Sequence, residues 1–218
     1  MESRTTISRM LARNLLNLQF KDLPSAAVEK AKICIYDSLT SVLGGCDMPV
    51  SLAAIEVSKR MNGNSESSIW MDGGKTSLPD AAFANTALAH SLLQEDTHII
   101  SQSHPGSIVI PSVFTLGEKV GASGQDAITA IVAGYEAMAR VGRFMVTDEF
   151  NRRGFRPSGV FGTFGSCIVA ARLLGLSEDQ TCNAFGIAGN CSAGVMEFAN
   201  AGTRDFPLHN AFAVRNGI

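Results

Sequence analysis

Three of the four histidines in this chain lie within one short segment that also carries two carboxylates. The histidines are His90, His98 and His104, and the carboxylates between them are Glu95 and Asp96. Because a histidine titrates near neutral pH, one placed beside a carboxylate can both give and take a proton. The segment therefore predicts general acid–base chemistry. The alternative is a solvated loop whose histidines cap helices, and the spacing alone leaves both interpretations open.

Metal and nucleotide chemistry are poorly matched by the residue spacing. His90 and Gln94 share a helical face, but no HExxH pattern is present, so no metal site is predicted. The sequence has no GxSxG elbow or P-loop, and the glycines of GVFGTFG do not fit GxGxxG. His90 lies on an apolar helical face, where a buried histidine with satisfied hydrogen bonds is the more common interpretation.

The elements that must position this segment are predicted to be helices. Apolar residues recur at spacings of three and four along nearly the whole chain, which is the helical period. Helices are expected over about residues 7–18, 24–42, 49–63, 79–93, 108–120 and 123–144, with more from residue 160 onward. Ser123 with Asp126, and Ser177 with Gln180, have the spacing of capping boxes. We expect an all-α fold, with any strand confined to about Ser67–Met71.

Two polar loops and a glycine-rich region complete the pattern. The loops are Gln94–Gly106 and residues 147–159, TDEFNRRGFRPSG, and loops this long within a domain are often functional. From Val160 onward the helices carry several glycines, each costing roughly 1 kcal/mol of helix propensity relative to alanine. These glycines predict close helix packing, with a ligand against the backbone as the alternative.

Composition limits the classes of protein that this chain can represent. Its 218 residues are 45% hydrophobic and 17% charged, which excludes intrinsic disorder and predicts one helical domain over residues 1–218. A net charge of -2 gives no basic surface for nucleic acid or an anionic membrane. The low share of charged residues predicts apolar surface that is buried against a partner.

The sequence gives little sign of export or membrane insertion. No predominantly apolar stretch reaches the roughly 18 residues of a membrane span, and the first residues lack the apolar core of a secretory signal. The arginines at positions 4, 9 and 13 leave organelle import as an alternative. Five cysteines, odd in number and without a CxxC pair, predict buried reduced thiols and a cytoplasmic protein.

Five stretches of the sequence resemble successive blocks of the MmgE/PrpD family. They are ANTALAHSLLQEDTH, SHPGSIVIPSVFTLGE, GQDAITAIVAGYEAMARVG, RRGFRPSGVFGTFGSCIVAARLLGLSEDQTCNAFGIAG and GTRDFPLHNAFAVRNGI. The family includes 2-methylcitrate dehydratase, cis-aconitate decarboxylase and iminodisuccinate epimerase. The resemblance implies a homodimer and a large helical domain of which this chain is the N-terminal half. The smaller α/β lid domain would be absent, and the helix that ends at Ile218 would be interrupted.

The resemblance also implies a reaction and a set of site residues. The expected activity is that of a lyase or isomerase, acting without an organic cofactor on a small di- or tricarboxylate. His104 matches the HPG histidine of the family and would be the acid–base residue, and Asp96 would orient it or share its proton. The implied substrate-binding residues are Thr97, Arg156, Arg204 and His209.

Three positions depart from the family pattern. Leu93 stands where the family has its leading acid, Arg156 at a second histidine, and Phe206 at a lysine. Deprotonating an arginine at pH 7 costs upward of roughly 7 kcal/mol, whereas general base catalysis contributes about 3–5.5 kcal/mol. Arg156 therefore cannot replace a histidine base, but it can grip a carboxylate. The alternative is an inactive relative or fragment that keeps only the fold and anion binding.

Overall fold

The structure is a computed structural model that describes residues 6–218, so Arg4, part of the proposed import signal, lies outside it. The helices are α1 (Ile7–Leu16), α2 (Ser25–Gly45), α3 (Pro49–Arg60), α4 (Leu78–His90), α5 (Gly106–Val120), α6 (Gly124–Met145), α7 (Asp148–Arg152), α8 (Pro157–Leu173), α9 (Glu178–Asn190), α10 (Glu197–Ala201) and α11 (Phe206–Gly217). A 3₁₀ helix covers Phe20–Asp22, and the strands are β1 (Ser67–Ser68) and β2 (Lys75–Thr76). The predicted all-α fold is confirmed.

Both predicted capping boxes form and fix the starts of two helices. The Ser123 hydroxyl accepts from the amide of Asp126 at 3.2 Å, and the Asp126 carboxylate accepts from the amide of Ser123 at 3.0 Å. Ser177 and Gln180 repeat this exchange at the start of α9. Each box satisfies amide groups that a helix start leaves without partners.

Two short elements differ from the sequence expectation. Strand β2 lies outside Ser67–Met71 and pairs antiparallel with β1, so the strand prediction was too narrow. Helix α7 occupies part of the expected polar loop because Thr147 caps it and accepts from the amide of Phe150 at 3.1 Å. The Phe150 ring is buried against Phe161, with ring centroids 5.3 Å apart. Burial of that ring anchors a segment whose polar neighbours predict a loop.

Helix α8 forms the centre of the molecule. It packs against α5, α6, α9 and α11, and most of its residues are buried. The largest fully buried side chains include Phe161 on α8, Ile108 on α5 and Met138 on α6. The core therefore fixes α8 firmly, and with it the segment that precedes the helix and carries Arg156.

Neither α2 nor α3 alone is long and apolar enough to span a membrane. Among residues 6–218, no single helix is long and apolar enough to span a membrane, while α2 and α3 pass by length and composition only as a pair bent by 94°. The five cysteines are free. Burial of Cys34 and Cys167 agrees with the sequence prediction, whereas the other three thiols are partly exposed.

Candidate active site

Four helix ends meet at one place in the molecule. The C-terminal end of α4 contributes His90, and the N-terminal ends of α5, α8 and α11 contribute His104, Arg156 and Phe206. The rings of His90 and His104 lie 5.3 Å apart, and those of His90 and Phe206 lie 5.4 Å apart. The amide of His104 donates to the Ser158 hydroxyl at 2.9 Å, which ties the His104 segment to the start of α8. The structure thus places the His104 and Arg156 segments side by side.

A buried chain of three ionisable side chains forms the base of this site. Arg156 contacts Nε2 of His90, and Nδ1 of His90 contacts Oε1 of Glu95. The side chains of His90 and Glu95 are inaccessible to solvent, and Arg156 is buried as well. Burial raises the pKa of Glu95 to about 7, although His104 and Arg156 oppose the increase. Burial also lowers the pKa of His90 well below its usual value.

His104 lies between this buried chain and the surface. Its Nδ1 is 3.3 Å from the backbone carbonyl oxygen of Asp96 and 3.7 Å from Oε1 of Glu95, and 21% of its side chain is exposed. A carbonyl oxygen can only accept, so Nδ1 carries the proton and Nε2 is the basic nitrogen. No residue within the described range 6–218 hydrogen-bonds Nε2. His104 can therefore accept or donate a proton at Nε2.

The Asp96 carboxylate faces the start of α5 rather than the ring of His104. Its Oδ1 accepts from the amide of Gly106 at 2.8 Å, and its Oδ2 is 4.0 Å from the Cys34 thiol. The amide of Asp96 donates to Asp37 on α2 at 2.9 Å. Burial raises the pKa of Asp96. Asp96 thus shapes the turn that carries His104, and the carboxylate beside the imidazole belongs to Glu95.

The Arg156 guanidinium is enclosed by protein groups. Nη1 donates to the carbonyl oxygen of Phe206, and Nη2 donates to His90. The rings of Phe198 and Phe206 lie 5.0 and 5.6 Å from the guanidinium carbon, at distances suited to cation–π contacts. Burial lowers the pKa of Arg156 to about 10, so the side chain is still a cation at pH 7.

The remaining candidate substrate-binding residues differ in their distance from this site. The Thr97 hydroxyl is 3.3 Å from Nδ1 of His104 and is brought into the cluster. Nε2 of His209 is 3.3 Å from the carboxylate of Asp205, and burial together with Arg156 lowers the pKa of His209. Arg204 is exposed, and its side chain has no hydrogen-bond or ion-pair partner in the part of the chain described. No hydrogen bond or ion pair joins Arg204 to the other three predicted substrate-binding residues, Thr97, Arg156 and His209.

The structure identifies two members of the cluster to which the sequence gave no catalytic role. His90 was predicted to be a buried histidine, which it is, but its partners are an arginine and a carboxylate. Glu95 was noted only as part of the polar segment. The sequence feature that could have predicted their contact is the spacing of five residues between His90, at the end of α4, and Glu95. Between residues 6 and 218, no group of three or more His, Cys, Asp or Glu side chains is arranged to hold a metal ion.

Two departures from the family pattern are also visible at the site. Leu93 has a backbone φ of 56° and is 42% exposed, so this position carries no acid facing the cluster. Phe206 places an aromatic ring over His90 and Arg156. At both positions an apolar residue stands where the resemblance implies a charged one.

Comparison with known proteins identifies the family to which the chain belongs. The family described as MmgE/PrpD N-terminal domain matches residues 9–218. A cis-aconitate decarboxylase of Homo sapiens is 30% identical over 218 residues, covering 98% of this chain and 45% of that protein. A cis-aconitate decarboxylase of Aspergillus terreus is 28% identical over 207 residues, covering 93% of this chain and 42% of that protein. The chain thus spans less than half the length of these relatives, and it belongs to the MmgE/PrpD family.

Proposed function

We propose that this chain contributes the histidine-bearing part of a lyase that acts on a small polycarboxylate by acid–base chemistry without an organic cofactor. The observation that carries the proposal is the position of His104, with no hydrogen bond to its Nε2 from residues 6–218 and the Glu95 carboxylate 3.7 Å from Nδ1. The names of the relatives, cis-aconitate decarboxylases, favour a tricarboxylate substrate. The proposal also includes a homodimer and a cytoplasmic location, with neither nucleic acid nor a membrane as a partner.

His104 has the proton positions that such a reaction needs. In a decarboxylation the carbon–carbon bond breaks, CO₂ leaves, and the remaining carbon takes a proton. In a dehydration a base removes a proton from carbon while an acid protonates the departing hydroxyl group, which leaves as water. Nε2 of His104 could donate the proton in the decarboxylation, and it could act as the base or, once protonated, as the acid in the dehydration.

Substrate carboxylates would bind at the surrounding helix starts. The N-terminal ends of α5, α8 and α11 converge here, and helix N-termini favour negative charge. Thr97, His209 and Arg204 remain predicted substrate contacts. Arg156 was also predicted to bind a carboxylate, but its guanidinium would first have to release the carbonyl oxygen of Phe206. Glu95 replaces Asp96 in this proposal as the carboxylate that shares the proton of His104.

The second candidate function is that of a non-catalytic relative that binds anions. It is favoured by Leu93 and Phe206, which remove an acid and a lysine found at these positions in the family. Under this proposal the helix starts and His104 would still attract a carboxylate. No bond would be broken in it.

A turnover assay separates the two candidates. The full chain is incubated with cis-aconitate and a panel of di- and tricarboxylates, and products are followed by nuclear magnetic resonance and by CO₂ release. We expect His104→Gln to lower kcat by about 10²–10⁴-fold. His98→Gln is the matched control, because His98 contacts Ser101 within its own turn. Carboxylate binding by calorimetry without any turnover by the wild type would favour the non-catalytic relative.

A further inference from the structure

The direction of the hydrogen bonds through the buried chain is determined by Arg156. A guanidinium only donates, so Nε2 of His90 must accept its hydrogen bond. His90 is then the neutral tautomer with its proton on Nδ1, and that proton is donated to Oε1 of Glu95. The cation and the carboxylate are thereby joined through a neutral imidazole, which agrees with the lowered pKa of His90.

The two terminal nitrogens of Arg156 are not free to donate hydrogen bonds to a substrate carboxylate. Both terminal nitrogens have protein acceptors, and two aromatic rings lie against the guanidinium. The segment before α8 is also held in place, since the amide of Arg156 donates to the carbonyl oxygen of Gly194 at 3.0 Å. These contacts suit a fixed charge better than a group that must exchange partners in each catalytic cycle.

The buried carboxyl group of Glu95 requires a nearby positive charge if it is to ionise. A carboxylate removed from water takes up a proton unless a cation or hydrogen bonds compensate it. The titratable or charged groups that face Glu95 are Asp37 from α2, His90 from α4, His104 before α5 and Arg156 before α8, with Asp96 adjacent in its own loop. Arg156 is the member of this set that remains a cation throughout the neutral range.

We propose that Arg156 is a positioning residue that acts through the neutral imidazole of His90 to favour the carboxylate form of Glu95 beside His104. This inference rests on the proposed function for its catalytic meaning, because the ionised Glu95 would stabilise the imidazolium of His104. In this inference the charge of Arg156 compensates the buried Glu95 and does not bind substrate. Substrate carboxylates are left to Thr97, Arg204 and His209. Arg156 then acts on the substrate only through Glu95 and His104.

The direct test measures the protonation of Glu95 without substrate. Isotope-edited infrared spectroscopy of the full chain detects protonated carboxyl groups, and Glu95→Gln identifies the Glu95 band. In Arg156→Gln we expect this band to persist to a pH at least about one unit higher than in the wild type, a tenfold or greater change in acidity. Arg156→Lys keeps the charge and should give a smaller shift. Arg153→Gln removes an exposed arginine of the same segment and should leave the band unchanged.

Other readouts keep the inference testable if Arg156→Gln does not fold. The tautomer of His90 in the wild type can be read from the nitrogen-15 resonances of its ring, and a proton on Nε2 would overturn the inference. So would an unchanged Glu95 band in a folded Arg156→Gln variant. If the wild type turns over a carboxylate, kcat can be measured against pH for both proteins. The acidic limb of the Arg156→Gln profile should then be shifted from that of the wild type in the same direction as the Glu95 band. Absence of turnover would contradict the proposed function but leave the infrared result interpretable.

Discussion

Burial raises the pKa of Glu95 and lowers that of His90, so it favours the neutral form of both side chains. The two shifts have opposite effects on how stability depends on pH. The pKa of Glu95 is raised from 4.5 to about 7, so the folded state binds more protons than the unfolded chain between these values. Its contribution to stability is full below pH 4.5 and falls by up to about 3 kcal/mol as pH rises to 7. The pKa of His90 is lowered, so its contribution is full above pH 6.5 and falls as pH decreases.

Single substitutions should separate these opposed dependences. In His90→Gln the Glu95 contribution remains, so the free energy of unfolding should decrease from pH 4.5 to 7. In Glu95→Gln the His90 contribution remains, so stability should increase as pH rises towards 6.5. The measurement is urea unfolding at a series of pH values, with the wild type as reference. Parallel profiles for the two variants would contradict the opposed protonation of this pair.

The identity of the carboxylate beside His104 shows why the site was only partly predictable at the residue scale. The motif around His104 located the acid–base residue, and the sequence put Glu95 and Asp96 in the same segment. Choosing between adjacent residues depends on the local backbone, which takes a left-handed conformation at Leu93. It also depends on Asp37, which is distant in sequence and accepts from the amide of Asp96. Neither feature has a local sequence signal.

Among the elements, those with a repeated pattern were predictable and the shortest ones were not. The starts of α6 and α9 follow directly from the capping residues Ser123 and Ser177. Strand β2 has two residues, too few to show alternation, and α7 has five, too few for helical periodicity. Their placement depends on tertiary contacts, such as the burial of Phe150.

Close packing was predicted for the glycines from Val160 onward, and the structure distinguishes one of these, Gly186, from Gly159, which lies just before them at the start of α8. A Cβ at Gly159 on α8 would lie 2.5 Å from the carbonyl oxygen of Ala193, whereas a Cβ at Gly186 on α9 would meet no atom within 4 Å. We expect Gly159→Ala to destabilise the fold by about 1–3 kcal/mol, since the backbone must shift. Gly186→Ala is the matched control and should stabilise α9 by up to about 1 kcal/mol. Urea unfolding checks both values, and equal effects would contradict the distinction.

At the scale of the whole molecule, composition predicted apolar surface but not its location. Several large apolar side chains are exposed along one side of α2, at spacings of three and four: Ile33, Tyr36, Leu39 and Leu43. Their periodicity continues the helical pattern of the sequence, but periodicity cannot say which of two apolar faces reaches the core. The structure buries Ala31, Cys34, Ser38 and Val42 instead.

The exposed side of α2 makes the homodimer prediction testable. Apolar patches of this kind on a soluble surface commonly mark protein interfaces, so we expect the chain to sediment as a dimer at micromolar concentration. Tyr36 is 72% exposed and lies within the patch, so Tyr36→Glu should shift the distribution towards monomer by placing a charge at the interface. Ile187 on α9 is 63% exposed and lies outside it, so Ile187→Glu should sediment like the wild type. A single monomeric species for the wild type would refute the homodimer, and equal responses of the two variants would place the interface elsewhere.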